Sequence, residues 1–169
     1  MLPTLYHLKE INSGRLSIMA KPIGEWLSDE IQNLKNMGID VIISLLTKEE
    51  IEELHLEQEE FLSIKNGIKF LSYPIMDRGV PISRENTSIF IKEVCSLISL
   101  GNNVVIHCRA GIGRSGLMAA LTLLHQGLTT EEAFKLISNS RRVEVPDTKE
   151  QYKFVKDYEN EFKNHSFSL

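Results

Sequence analysis

The sequence predicts an α/β fold, one domain built on a central, mostly parallel sheet flanked by helices. Two observations carry this. Short apolar runs alternate with longer amphipathic ones, the pattern of a parallel sheet covered by helices. The runs Val41–Ile43 and Val104–Ile106 lack any polar alternate, as expected of strands buried on both faces. The 169 residues suit one domain of the usual size, about 100–200 residues. No repeat, low-complexity tract or linker divides them, so residues 1–169 are expected to form a single domain.

The elements follow in order. Arg15–Met19 reads as an early strand, and Trp26–Met37 as a helix closed by Gly38. Val41–Ile43 is a buried strand. Lys48–Phe61 is rich in glutamate, with Ile51, Leu54 and Phe61 apolar. It reads as one helical segment whose acidic run is a solvated face. Ile68–Ser72 is a strand. Ser83–Leu100 is a long helix with Ser83 as N-cap and Gly101 past its end. Val104–His107 is the central strand. Leu117, Ala120, Leu121 and Leu124 recur at helical spacing. Thr129 and Thr130, followed by Glu131 and Glu132, open another helix, and Val155, Tyr158 and Phe162 mark the last.

Charge and composition exclude several classes. The formal net charge is −4 and no basic stripe is present, which argues against a nucleic-acid partner. No stretch approaches the roughly 20 apolar residues that span a bilayer, so no membrane partner is expected. The start MLPTLYHLKEI has neither a basic region nor an apolar core, so no signal peptide is expected. Two cysteines make no disulfide framework, and a cytoplasmic location follows. His7, His55, His125 and His165 show no metal-ligand spacing. The expected metal and cofactor content is none, and a monomer is the default.

The chemistry concentrates in Val104–Gly116, VVIHCRAGIGRSG. It reads as a strand, a glycine-bearing loop and a helix start, where backbone N–H groups and the helix dipole favour an anion. Cys108 opens the loop as a candidate nucleophile. A thiolate is the reactive form, and a free thiol near pH 8.5 supplies little of it at neutral pH. Arg114 closes the loop. Its planar fork suits two oxygens of a phosphoryl group, and it stays charged. Arg109, Ala110, Gly111, Ile112 and Gly113 form the rest of the phosphate-binding loop. Gly111, Gly113 and Gly116 let the backbone turn and approach a ligand. Ser115 is placed to donate its hydroxyl to the Cys108 sulfur and steady it as a leaving group. His107 fixes loop geometry rather than touching substrate.

Competing readings are weaker. The same glycines spell G-x-G-x-x-G, a dinucleotide fingerprint. That motif expects an acidic residue about 20 positions on, and Glu131 and Glu132 open a helix there instead. No Lys-Ser/Thr pair follows, which excludes a nucleotide-hydrolysing loop. A sulfurtransferase loop would need neither an aspartate upstream nor the His-Cys pair. An inert buried thiol suits Cys95, within the amphipathic pattern of Phe90, Val94, Leu97 and Ile98, better than Cys108. A Cys95–Cys108 disulfide is a minority alternative. Arg141 and Arg142 read equally as a solvated helix end or as a receiver of anionic substrate.

His107–Gly116, His-Cys-x-x-Gly-x-x-Arg-Ser-Gly, resembles the signature loop of the cysteine-dependent protein tyrosine and dual-specificity phosphatases. Tyr73–Pro81, YPIMDRGVP, is similar to the segment that carries their general-acid aspartate. The resemblance thus assigns that role to Asp77, 31 residues before Cys108. Val145–Tyr152, VPDTKEQY, resembles the family's late loop, which often carries two glutamines that hold the attacking water. Gln151 matches the second, and Asp147 stands where the first would be. The layout of Gly14–Met19 and Trp26–Leu46 looks most like the kinase-associated phosphatase type and its small bacterial relatives. The resemblance implies a dual-specificity-phosphatase-like fold and a metal-independent enzyme. Its substrate would be a phosphorylated protein bearing phosphotyrosine or phosphoserine/phosphothreonine. A phosphoinositide phosphatase is the alternative, and a dinucleotide-binding oxidoreductase a remote one.

Overall fold

The structure is a computed structural model and describes residues 1–167. Five strands form one sheet: β1 (Tyr6–Ile11), β2 (Gly14–Met19), β3 (Val41–Ser44), β4 (Lys69–Ser72) and β5 (Asn103–His107). Their order is β1-β2-β5-β3-β4. Only the β1–β2 pair is antiparallel, and β2–β5, β5–β3 and β3–β4 are all parallel. The α/β reading with a mostly parallel sheet therefore holds, with β1 as an added edge strand the sequence did not suggest. β1 turns into β2 through Asn12, which takes the left-handed conformation (φ 54°).

Among the described residues, seven α-helices cover the sheet: α1 (Leu27–Asn36), α2 (Lys48–Glu53), α3 (Glu59–Lys65), α4 (Arg84–Ser99), α5 (Gly113–Leu124), α6 (Thr130–Arg141) and α7 (Lys149–Phe167). The N-cap of α4 is Ser83, whose Oγ accepts from Asn86 N at 3.1 Å. Thr129 opens α6 in a capping box with Glu132. One apolar cluster packs α4, α5, α6 and α7 against one face of the sheet. A second, with Ile31, Leu34, Leu46 and Leu56, packs α1 and the α2–α3 region against the other.

The expected single helix over Lys48–Phe61 is two. The chain breaks at His55, in the left-handed conformation (φ 56°), and Leu56 behind it is buried. The break matters because it aims two glutamates inward. Glu50 on α2 and Glu59 on α3 are both buried, so the acidic run is not merely a solvated face. Unpaired buried carboxylates are costly, so each needs a partner.

β5 lies between β2 and β3, and its last residue, His107, pairs in register with Met19 and Ser44. The loop that follows therefore leaves the carboxyl end of the central strand, where open α/β sheets place their ligands.

Candidate active site

Residues 108–112 leave β5, and α5 starts at Gly113. Cys108 is buried at the base of this loop. Gly111 has φ 68°, and a Cβ on it would lie 2.3 Å from Met19 O. A side chain there would clash with the end of β2, so the turn requires glycine. At Gly113 a Cβ would lie 2.3 Å from Asp147 Oδ2 and 3.0 Å from Gln151 Oε1, so its bare Cα makes room for the late loop. Ile112 precedes α5, and its carbonyl accepts from Gly116 N at 2.9 Å.

Arg114 is 1% exposed and has four bonds to protein acceptors. Its Nη1 donates to Glu50 Oε2 at 2.7 Å and to Ile75 O at 2.9 Å. Its Nη2 donates to Glu50 Oε1 at 2.9 Å and to Asp77 Oδ1 at 3.1 Å. This is a two-pronged carboxylate grip with a second carboxylate beside it. Burial works against the Arg114 charge, but the Glu50 bonds outweigh it and raise the pKa. Burial likewise pushes Glu50 upward, and its bonds from Arg114 and Thr47 hold it at about 2 instead. Glu50 also completes the capping box of α2, taking Thr47 N at 3.0 Å. A guanidinium has five N–H groups. Four are engaged here, which leaves Nε–H for a ligand oxygen.

Asp77 sits on a turn closed by Gly79 N to Met76 O at 2.8 Å, with its side chain 58% exposed. Arg78 in that turn has φ 59°. Tyr73, stacked on Phe90 and hydrogen-bonded to Thr87, fixes the start of the segment. The structure thus brings Asp77 to the guanidinium that closes the signature loop.

His107 is fully buried. Its Nε2 lies 2.8 Å from Glu59 Oε1, and its Nδ1 lies 3.2 Å from Cys108 O. Ser115 is buried too, but its hydroxyl has no hydrogen-bond partner among the described residues, the Cys108 sulfur included. The expected Ser115–Cys108 bond is therefore not formed in this structure.

Gln151 is held by backbone on both sides of its amide. Its Oε1 accepts from Asp147 N at 3.1 Å and Thr148 N at 3.3 Å, and its Nε2 donates to Gly79 O at 3.1 Å. Both ends of the amide tie backbone, joining the late loop to the Asp77 turn. Asp147 is exposed and abuts Gly113.

Two groups lay outside the sequence-predicted set, and a third, Arg141, was read only as a solvated helix end or a receiver of anionic substrate. Glu50 and Glu59 hold the arginine and the histidine. Arg141, at the end of α6, donates to Gly111 O at 3.0 Å and Ala110 O at 3.1 Å and stacks over Tyr6. It thus braces the loop by its carbonyls. The T-x-x-E pattern at Thr47–Glu50 is a helix-start signature that the reading above did not use, and nothing local marks its arginine. Arg109 donates to Glu53 Oε2 at 3.0 Å and to Glu50 Oε1 at 3.5 Å. Cys95 donates to Thr122 O at 3.9 Å. Thr122 is nine residues into α5, about 13 Å along the axis from the loop. That is beyond disulfide reach of Cys108, and both cysteines are free. Among the described residues no three His, Cys, Asp or Glu side chains converge as a metal site, and no helix is long and apolar enough to cross a membrane.

Comparison with known proteins agrees with this geometry. The family model described as "Swiss Army Knife protein, DSP-PTPase phosphatase domain" matches residues 7–161. The mouse tyrosine-protein phosphatase non-receptor type 18 is 32% identical over 107 residues, 58% of this chain and 23% of the relative. A phosphatidylinositol 3,4,5-trisphosphate 3-phosphatase and protein-tyrosine-phosphatase of Arabidopsis thaliana is 34% identical over 92 residues, 50% of this chain and 22% of that protein. The chain thus spans about a quarter of the length of these relatives. The crystal structure of kinase associated phosphatase superposes with a TM-score of 0.87 at 22% identity, covering 96% of this chain and 97% of that one. With the signature loop, its arginine and the fold in agreement, the chain belongs to the DSP-PTPase family of cysteine-dependent phosphatases.

Proposed function

We propose that the protein is a metal-independent phosphoprotein phosphatase that hydrolyses phosphotyrosine, and phosphoserine or phosphothreonine, through a cysteinyl-phosphate intermediate. One observation carries this: Arg114 is anchored by Glu50 with its Nε–H left open and its last Nη2 hydrogen on Asp77. A phosphoryl group that takes Nε–H and displaces Asp77 from Nη2 gains a two-pronged grip. The displaced Asp77 is then beside the bound group.

The Cys108 thiolate attacks phosphorus, forming the S–P bond as the P–O bond to the leaving group breaks. Asp77 gives its proton to the leaving oxygen. Arg114 and the loop amides hold the equatorial oxygens, so catalysis is positioning and electrostatics. In the second step water attacks the thiophosphoryl group, Asp77 takes its proton and Cys108 leaves as thiolate.

A phosphoinositide substrate is the second reading, favoured by the activity named for the Arabidopsis relative. Against it stands Arg109, the cation that the loop adds, which already pairs with Glu53 and Glu50. The test is turnover, with EDTA present, of phosphotyrosyl, phosphoseryl and phosphothreonyl peptides, phosphoinositides and nucleotides. Turnover of a phosphopeptide that Cys108→Ser abolishes supports the proposal. Serine is not ionised near neutral pH, so a Cys108→Ser variant within tenfold of the wild type would sink it.

A further inference from the structure

We propose that Glu59 is a positioning residue for the nucleophile: it holds His107 as an imidazolium against Cys108. The inference rests on the reading of Cys108 as the nucleophile and adds how its thiolate is maintained.

Donors and acceptors fix where the ring's protons sit. His107 has an acceptor on each side of its ring, the Cys108 carbonyl at Nδ1 and the Glu59 carboxyl at Nε2. A carbonyl only accepts, so Nδ1 carries a hydrogen. An ionised carboxylate also only accepts, so Nε2 must carry one as well. The ring is then an imidazolium in an ion pair. The other distribution, a neutral ring accepting from protonated Glu59, contains the same protons in different places. Either way the pair is neutral overall, as a site this buried demands. What differs is the side that bears the positive charge.

The surrounding charges decide the side. Cys108 follows His107 directly in the chain, and its thiolate favours a cation there. Arg114 on α5 opposes it, but Glu50 on α2 and Asp77 on its turn are bonded to that guanidinium and offset its field. Burial pushes the ring towards neutral, and the charge and hydrogen bond of Glu59 on α3 outweigh this, raising the His107 pKa. The positive charge therefore sits on the ring, whose Nδ1 lies 3.2 Å from the backbone carbonyl of Cys108. Glu59 lies 48 positions before His107, and its buried carboxyl group meets the ring at 2.8 Å.

Replacing Glu59 with glutamine keeps the shape and removes the charge. The ring then accepts from the amide and becomes neutral, because a buried imidazolium without its carboxylate is costly. Cys108 loses a cationic neighbour.

The experiment is the pH dependence of Cys108 alkylation by iodoacetamide, followed by mass spectrometry. Burial pushes the Cys95 thiol up to about 11, so it stays silent near neutral pH. Glu59→Gln should move the Cys108 midpoint up by about one pH unit. Glu59→Asp, which restores the charge, should return part of that shift. An unmoved midpoint in folded Glu59→Gln overturns the proposal. Should the variant fail to fold, ¹⁵N-histidine spectra of the wild-type protein decide. Two protonated ring nitrogens at His107 near pH 7 support the proposal, and a neutral ring overturns it. Neither readout uses turnover. Absence of activity on every phosphate ester would defeat the phosphatase reading and leave this result standing, whereas an active enzyme with an unmoved midpoint would defeat the inference alone.

Discussion

Arg114 meets one carboxylate from α2 and another from the Asp77 turn, and the two contacts differ in burial, geometry and support. Glu50 is nearly buried, grips both terminal nitrogens and is held by the capping box of its own helix. Asp77 is 58% exposed, makes one bond at 3.1 Å and rides on a turn that contains a left-handed Arg78. The first is a fixed part of the scaffold. The second is exchangeable, since Asp77 faces solvent, where water can replace its single bond to the guanidinium. A site that must grip a dianion and release it needs both kinds. The fixed carboxylate keeps the guanidinium aimed, and the loose one gives up its place to substrate.

The comparison breaks first at Asp77. Asp77→Asn should cut turnover of alkyl and tyrosyl phosphates by about 10²–10⁴-fold, the usual worth of a general acid. The loss should be smaller for activated aryl phosphates, whose leaving groups need no proton. The basic limb of the rate profile should flatten and the acidic limb should stay. The melting temperature should hardly change. A bell shape surviving in Asp77→Asn would make another group the acid, with the exposed Asp147 beside Gly113 the next to test.

Glu50→Gln should do the reverse and act first on stability. Glutamine can still serve the capping box, so the change isolates the charge. It leaves Arg114 buried without its two-pronged partner, which costs about 3–5 kcal/mol. The pH dependence has a definite sign. The folded-state value near 2 lies below the ordinary 4.5, so the stabilisation is fully present above about pH 4.5 and fades as pH falls towards 2. Melting curves across that range should show a constant gap between wild type and Glu50→Gln near neutrality that closes in acid. A gap that widens in acid would mean that Glu50 is not the ionised partner.

What was legible in the sequence divides along the same line. β3 and β5 were readable because a strand buried on both faces is apolar throughout, and the fold class followed. β1 was not. Leu8 and Ile11 are its inward residues, and an irregularity between His7 and Lys9 breaks the period of two. In the site, Cys108, Arg114 and Asp77 stand out by residue type and spacing. Glu50 and Glu59 do not, because a buried glutamate looks like any other in a run of glutamates. Their partners lie 64 and 48 positions away, and only the folded chain brings them together. The bond from Gln151 to Gly79 O is equally invisible in the sequence, since the two lie 72 positions apart.

The smallest expected effect sharpens the comparison at the rim. Arg109 shares Glu50 with Arg114, yet its side chain is 39% exposed and its shorter bond is to Glu53, itself exposed. The same acidic helix thus fixes one loop arginine and only neutralises the other. Glu53→Gln should free the Arg109 fork without touching the buried grip. Single-phosphate peptides should then turn over unchanged. Substrates with a second phosphate near the mouth, such as a soluble polyphosphorylated inositol, should gain less than about fivefold in kcat/KM, the scale of an exposed pair. The gain should vanish as salt rises to about 1 M, where screening acts within about 3 Å. A gain above tenfold would mean that Glu53 sets substrate choice by withholding Arg109. No gain would mean that Arg109 faces away from the mouth in both states, so that its pairing has no bearing on which phosphate ester enters.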